Sequence, residues 1–151
     1  MDFQRTIAKE ISFSGIGLHT GNKSNVTLKP AGVDTGIVFV RCDLPDSPRI
    51  KAAINFLSTV GNTPRRTTVE SKGAQVQTIE HFMAALAGSG INNLEVELDN
   101  NEMPGLDGSS IKYMDIISQA GIRELGKARD YFSIKEQIRI EEGGAYIMVL
   151  P

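Results

Sequence analysis

The run Leu94-Glu95-Val96-Glu97-Leu98 alternates apolar and acidic residues without a break, the period of a strand with one face on a core and the other in water. Such a strand needs cover on one side only, and the chain supplies helices to provide it. Ile79, Phe82, Met83 and Leu86 recur at i, i+3, i+4 and i+7, which lines one side of a helix of about three turns. Thr78 stands where the N-cap belongs, and Gly88 with Gly90 supplies the stop. A second amphipathic helix follows Asp107-Gly108-Ser109-Ser110, with Ile111, Met114 and Ile117 inward, Ile116 at their margin, and Gly121 at its end. Upstream, Ile7 to Phe13 alternates partly, Asn25 to Lys29 alternates cleanly, and Ile37 to Val40 is β-branched and aromatic. The expected fold is therefore α+β, a two-layer sandwich of a mostly antiparallel sheet packed against two helices.

A chain of 151 residues, 40% hydrophobic and 23% charged, can bury one ordinary core without staples. A net charge of -2 argues against a nucleic-acid binder, and Arg65-Arg66 reads as a solvated loop pair. The single cysteine, Cys42, excludes an internal disulfide and suits a reducing cytoplasm. It ends the strand-like run Gly36 to Cys42, where a half-buried structural thiol is expected. No apolar run reaches about 18 residues, and no signal-peptide core follows Met1. The expected location is cytoplasmic, with no transmembrane segment.

Two places carry candidate chemistry. Gly15, Gly17 and Gly21 punctuate a turn that holds Leu18 and His19, so a ligand could approach its backbone closely. No helix follows these glycines to complete a phosphate cradle. The other place is Glu80-His81, in the first turn of the helix, within the partial positive field of its free N–H groups. This pair sets a general base beside a metal ligand. The helical neighbours on the histidine's side are Ala84, Ala85 and Gly88, a small-residue face that something large can approach. The plain alternative is a solvent-exposed first turn of ordinary polar residues. Asp107 reads as a turn or cap residue rather than a catalytic acid, and Glu95 and Glu97 as the wet face of their strand.

Four segments in order resemble one family. They are Gln4-Arg5-Thr6-Ile7 leading to Gly15-Ile16-Gly17-Leu18-His19-Thr20-Gly21, then Thr78-Ile79-Glu80-His81-Phe82-Met83-Ala84-Ala85-Leu86-Ala87-Gly88, Gly90-Ile91-Asn92-Asn93-Leu94-Glu95-Val96, and Glu102-Met103-Pro104-Gly105-Leu106-Asp107-Gly108-Ser109-Ser110. Together they resemble the N-terminal half of the UDP-3-O-acyl-N-acetylglucosamine deacetylases, zinc enzymes of lipid A biosynthesis. The resemblance implies a fold of the ribosomal protein S5 domain 2-like kind. It makes Glu80 the base that takes a proton from a zinc-bound water and His81 one of three protein ligands to the zinc. Leu18 and His19 then border the substrate, as do Thr67 and Thr68. The substrate implied is a UDP-linked acylated glucosamine, and an insert within residues 43 to 77, a small subsheet, helps form the passage for its acyl chain.

The family's other two zinc ligands lie in a His-Lys-x-x-x-Asp motif, and its acidic histidine and oxyanion-stabilising threonine also belong to the second half. None has a counterpart here, because the only histidines are His19 and His81, whereas a catalytic zinc takes three protein ligands. The chain is thus expected to need a missing C-terminal domain or a partner chain that supplies it. A non-catalytic domain of the same fold, keeping ligand binding or an interaction role, is the alternative. The tail agrees with a second domain. Ile134 to Ile140, a turn at Gly143-Gly144, and Tyr146 to Leu150 form a hairpin pattern that echoes the N-terminal strands. This divides the chain into a deacetylase domain over 1–126 and, over 127–151, a linker and the first hairpin of a second copy, with apolar edges left exposed.

Overall fold

The computed structural model describes residues 2–58 and 65–151. Eleven strands and two α-helices lie among them: β1 (Phe3–Ile7), β2 (Ile11–Ile16), β3 (Lys23–Pro30), β4 (Ile37–Arg41), β5 (Arg49–Lys51), β6 (Thr68–Ser71), β7 (Ala74–Gln77), α1 (Glu80–Ser89), β8 (Leu94–Leu98), α2 (Ile111–Ala120), β9 (Ile122–Ala128), β10 (Ile138–Glu142) and β11 (Ala145–Val149). The alternating segment β8 is the centre of a five-stranded sheet ordered β2-β3-β8-β4-β5. It pairs antiparallel with β3 and parallel with β4, and the other two pairings are antiparallel.

Alternation decides which face each residue takes. Leu94, Val96 and Leu98 join Val26, Leu28, Ile37 and Phe39 in a single buried cluster with Phe82, Ala85 and Leu86 of α1 and Tyr113, Ile117 and Ala120 of α2. Aromatic rings run through this layer, Phe13 edge-on to Tyr113, Tyr113 to Phe82, and Phe82 tilted against Phe39 at 6.3 Å. On the opposite face the glutamates pair across strands, Glu97 with Lys29 and Glu95 with Arg49. Their long side chains lie beside Val38 and Val40, which are buried although they stand outside the main cluster. The α+β two-layer arrangement expected from the periodicities is the one observed.

Several boundaries differ. Ile7 to Phe13 is two strands, because Ala8 and Lys9 donate their N–H groups to the Gly121 and Ala120 carbonyls at the end of α2. β1 then pairs with β9 and β2 with β3. β9 runs to Ala128, two residues into the stretch read as a linker from residue 127, because that stretch completes the pairing with β1. Cys42 falls one residue beyond β4 and is exposed rather than half-buried. The inward side of α2 is Tyr113, Ile117 and Ala120, while Ile111 and Met114 are exposed. Within residues 43 to 77, β6 and β7 form a two-stranded hairpin turned by Lys72-Gly73, with both residues at positive φ. Residues 59–64 of that stretch lie outside the described residues. Among the described residues β10 and β11 pair only with each other, through Gly143-Gly144, and Ile140, Tyr146 and Ile147 on them are exposed.

Candidate active site

Glu80 and His81 open α1 as its first two residues. The cap is not Thr78 but Ile79, which makes no side-chain capping bond. Thr78 instead adopts φ 59, a left-handed conformation that strains a β-branched residue. Its hydroxyl turns away from the helix and donates to Glu102 Oε1 at 2.8 Å. The helix start is tied down another way, with the Thr67 N–H donating to Glu80 Oε2 at 3.0 Å. One carboxylate oxygen of the dyad is therefore fixed by backbone, thirteen residues away in sequence.

The dyad sits on a ridge between two cavities. His81 lines a cavity of about 520 Å³ together with Gly17, Leu18, Thr78, Asp107 and Tyr113. Glu80 lines a second, of about 260 Å³, whose other walls include Ile54, Leu57, Thr67, Val69, Ile79 and Met83. Residues on successive helical positions thus face different spaces, one mixed in polarity and one largely apolar. Of the residues singled out in the sequence, the structure brings Leu18 to His81 and Thr67 to Glu80. His19 and Thr68 line neither cavity. The His19 side chain is exposed and its backbone N–H donates to Glu102, whereas Thr68 is buried in the hairpin. The small-residue face of α1 is approached by α2, since a Cβ on Gly88 would lie 4.0 Å from Met114 Cε.

Glu102 is the residue that sequence reasoning missed. It is only 1% exposed, yet its carboxylate accepts from the His19 N–H at 2.9 Å, the Thr20 N–H at 2.8 Å and the Thr78 hydroxyl. Burial pushes this carboxyl up, but bonds from the Thr20 side chain, the two amides and Thr78 outweigh it and hold it below the usual carboxylate range. The local signal was present in Glu102-Met103-Pro104-Gly105, an acid leading into an apolar, turn-forming segment, although nothing local names its partners. Asp107 keeps the turn role expected of it. Its Oδ1 accepts from the Ser109 N–H and hydroxyl, bonds that lower its carboxyl. Tyr113 donates its hydroxyl to the Pro104 carbonyl, and burial together with the Glu80 charge pushes the phenol well up.

The donor chemistry fits one position of a metal site. His81 offers an imidazole at the cavity wall. Among the described residues no group of three histidine, cysteine or carboxylate side chains is placed to hold an ion. No helix among them is long and apolar enough to cross a membrane.

Comparison with known proteins places the chain in a family. The family model described as LpxC, UDP-3-O-acyl N-acetylglycosamine deacetylase, matches residues 4–151. A protein of Citrifermentans bemidjiense named UDP-3-O-acyl-N-acetylglucosamine deacetylase is 43% identical over 151 residues, all of this chain and 48% of that protein. One of the same name from Legionella pneumophila (strain Corby) is 43% identical over 148 residues, 98% of this chain and 48% of its own length. Another, from Shewanella loihica, is 40% identical over 151 residues and is covered to 49%. The chain spans about half the length of these relatives. Matched from residue 4 to its last residue, it belongs to the UDP-3-O-acyl N-acetylglycosamine deacetylase family.

Proposed function

We propose that this chain supplies the N-terminal part of the active site of a zinc-dependent amide hydrolase, which removes the N-acetyl group from UDP-3-O-acyl-N-acetylglucosamine in lipid A biosynthesis in the cytoplasm. The observation that carries the reading is the adjacency of the dyad in the first turn of α1, on the ridge between two cavities, with Glu80 anchored by the Thr67 N–H and His81 at the wall of the larger one. His81 would hold the metal through its imidazole, and the remaining ligands would come from a C-terminal half or a partner chain. When bound, zinc lowers the pKa of its water to about 7 and polarises the amide carbonyl.

The chain's own groups have defined tasks. Glu80 takes a proton from the attacking water, and the bond from Thr67 to Oε2 leaves Oε1 to do so. The water oxygen ends in acetate, the C–N bond breaks, and the proton taken from the water is passed to the nitrogen, which leaves as a free amine. Leu18, with Gly17 beside it, forms the cavity wall that receives the sugar-bearing part of the substrate, and the largely apolar cavity beside Glu80 suits part of the acyl chain.

The test measures acetate release from UDP-3-O-acyl-N-acetylglucosamine by the 151-residue chain, alone and with the C-terminal half of a relative added. We expect no turnover alone, turnover on complementation, and a loss of about 10²–10⁴-fold in Glu80→Gln. Full activity in Glu80→Gln would remove the general-base role. Binding without turnover in the complemented protein would favour a non-catalytic domain, and stoichiometric tight zinc in the isolated chain would overturn the shared ligand set.

A further inference from the structure

Glu102 is a buried charge that the proposed chemistry does not use. Its segment is clamped on both sides. The Gln77 N–H donates to the Asn101 carbonyl, the Met103 N–H to the Gln77 carbonyl, and the Gly105 N–H to the Ile16 carbonyl. Gly17 and Pro104 form an isolated antiparallel bridge. The segment therefore runs between the end of β7, immediately before the dyad, and the end of β2, immediately before Leu18. Its carboxylate makes the side-chain connection between the two. It accepts from His19 and Thr20, in the turn whose Gly17, Leu18 and Gly21 form one wall of the larger cavity, and from Thr78 on the other.

We propose that Glu102 is a positioning residue that locks the Leu18–Thr20 turn to the start of the helix carrying Glu80 and His81, so that the two walls of the cavity keep a fixed separation. This rests on the reading that the cavity receives the substrate. Two successive backbone N–H groups converge on the carboxylate, as they do on anions bound in backbone nests. Here the anion is covalently part of the opposite structure, so the turn is held to it permanently rather than by ligand. Gly17 leaves the room this requires, since a Cβ there would fall 2.3 Å from Glu102 Oε2. The strained backbone of Thr78 fits the same role, because its φ of 59 accompanies a hydroxyl aimed at Glu102 instead of at the helix N–H groups.

A glutamine at this position has the same shape but one acceptor oxygen and one amino group, so at least one backbone donor loses its partner. In Glu102→Gln at least one of the His19 and Thr20 amides should exchange with solvent about tenfold or more faster, while the Leu94 and Val96 amides of the sheet keep their rates. In the complemented enzyme KM should rise about tenfold with kcat within about twofold, the pattern of lost ground-state and transition-state binding in equal measure. Unchanged exchange at His19 and Thr20 would overturn the proposal. So would equal acceleration across the sheet, or a fall in kcat at constant KM. Should Glu102→Gln fail to fold, Thr78→Val cuts only the tie to the helix. It should raise KM while the two amides stay protected, and an unchanged KM would overturn the coupling. If complementation yields no deacetylation even with the parent chain, the proposed function fails, and the exchange measurements still decide the tether.

Discussion

Replacing Gly17 with alanine puts a methyl carbon where Glu102 already is. The new Cβ would stand 2.3 Å from Glu102 Oε2, 2.8 Å from its Cδ and 2.7 Å from Thr20 Oγ1. A carbon and an oxygen in close contact rest at about 3.3 Å, so the carboxylate would have to retreat by roughly 1 Å. In open solvent a glutamate would do so freely. This one is buried and holds the His19 and Thr20 amides and the Thr78 hydroxyl at 2.8 to 2.9 Å, and a retreat of that size takes at least one bond beyond hydrogen-bond range. A bond to a charged group is worth about 1.5–3 kcal/mol, and overpacking a tight site adds to it. We expect about 3 kcal/mol of destabilisation, which for a chain of this size lowers Tm by about 6–12 °C. Gly21→Ala is the comparison. It lies in the same turn at φ 69 with nothing within 4 Å of its Cβ, so its cost is backbone strain alone, about 1–2 kcal/mol. Melting of both variants by circular dichroism checks the ranking. A Gly17→Ala melt within about 2 °C of the parent, or a larger loss in Gly21→Ala, would refute the steric argument.

Phe82→Ala removes a ring buried between Phe39 and Tyr113 and should cost about 3–5 kcal/mol in urea unfolding. Gly88→Ala should stabilise the chain by about 0.5–1 kcal/mol, because the added methyl lies on a helix and meets only Met114 Cε at ordinary contact; a loss in Tm would contradict it. Glu102 binds its proton more weakly folded than unfolded, so its contribution is complete above the ordinary glutamate value of about 4.3 and disappears as pH falls through the lower folded value. Urea titrations between neutral and strongly acid pH should therefore show an acid-side loss that is shallower in Glu102→Gln.

Local pattern was legible wherever the partner of a residue was its own element. β8 follows from the alternation at 94–98, the buried side of α1 from Ile79, Phe82 and Leu86, the end of α2 from Gly121, and the hairpin turn from Gly143-Gly144. The dyad and its place in a first turn also came from the chain alone. The errors arose where a distant group outcompeted a local one. Thr78 had the chemistry of a cap, but Glu102, twenty-four residues on, took its hydroxyl. Ile111 and Met114 fitted an inward helical stripe, yet Tyr113 turned in, where its ring meets Phe13 and Phe82 and its hydroxyl finds the Pro104 carbonyl.

The sequence by itself determined the periods of the strands and helices, and with them the two layers and the adjacency of base and imidazole, because these depend on residues a few positions apart. Only the tertiary structure decided which cavity each side chain faces and what holds the walls together. Those outcomes depend on hydrogen bonds between residues about 80 positions apart, such as Glu102 to His19 and Thr20. Burial makes such bonds costly to leave unformed, and no local pattern records them.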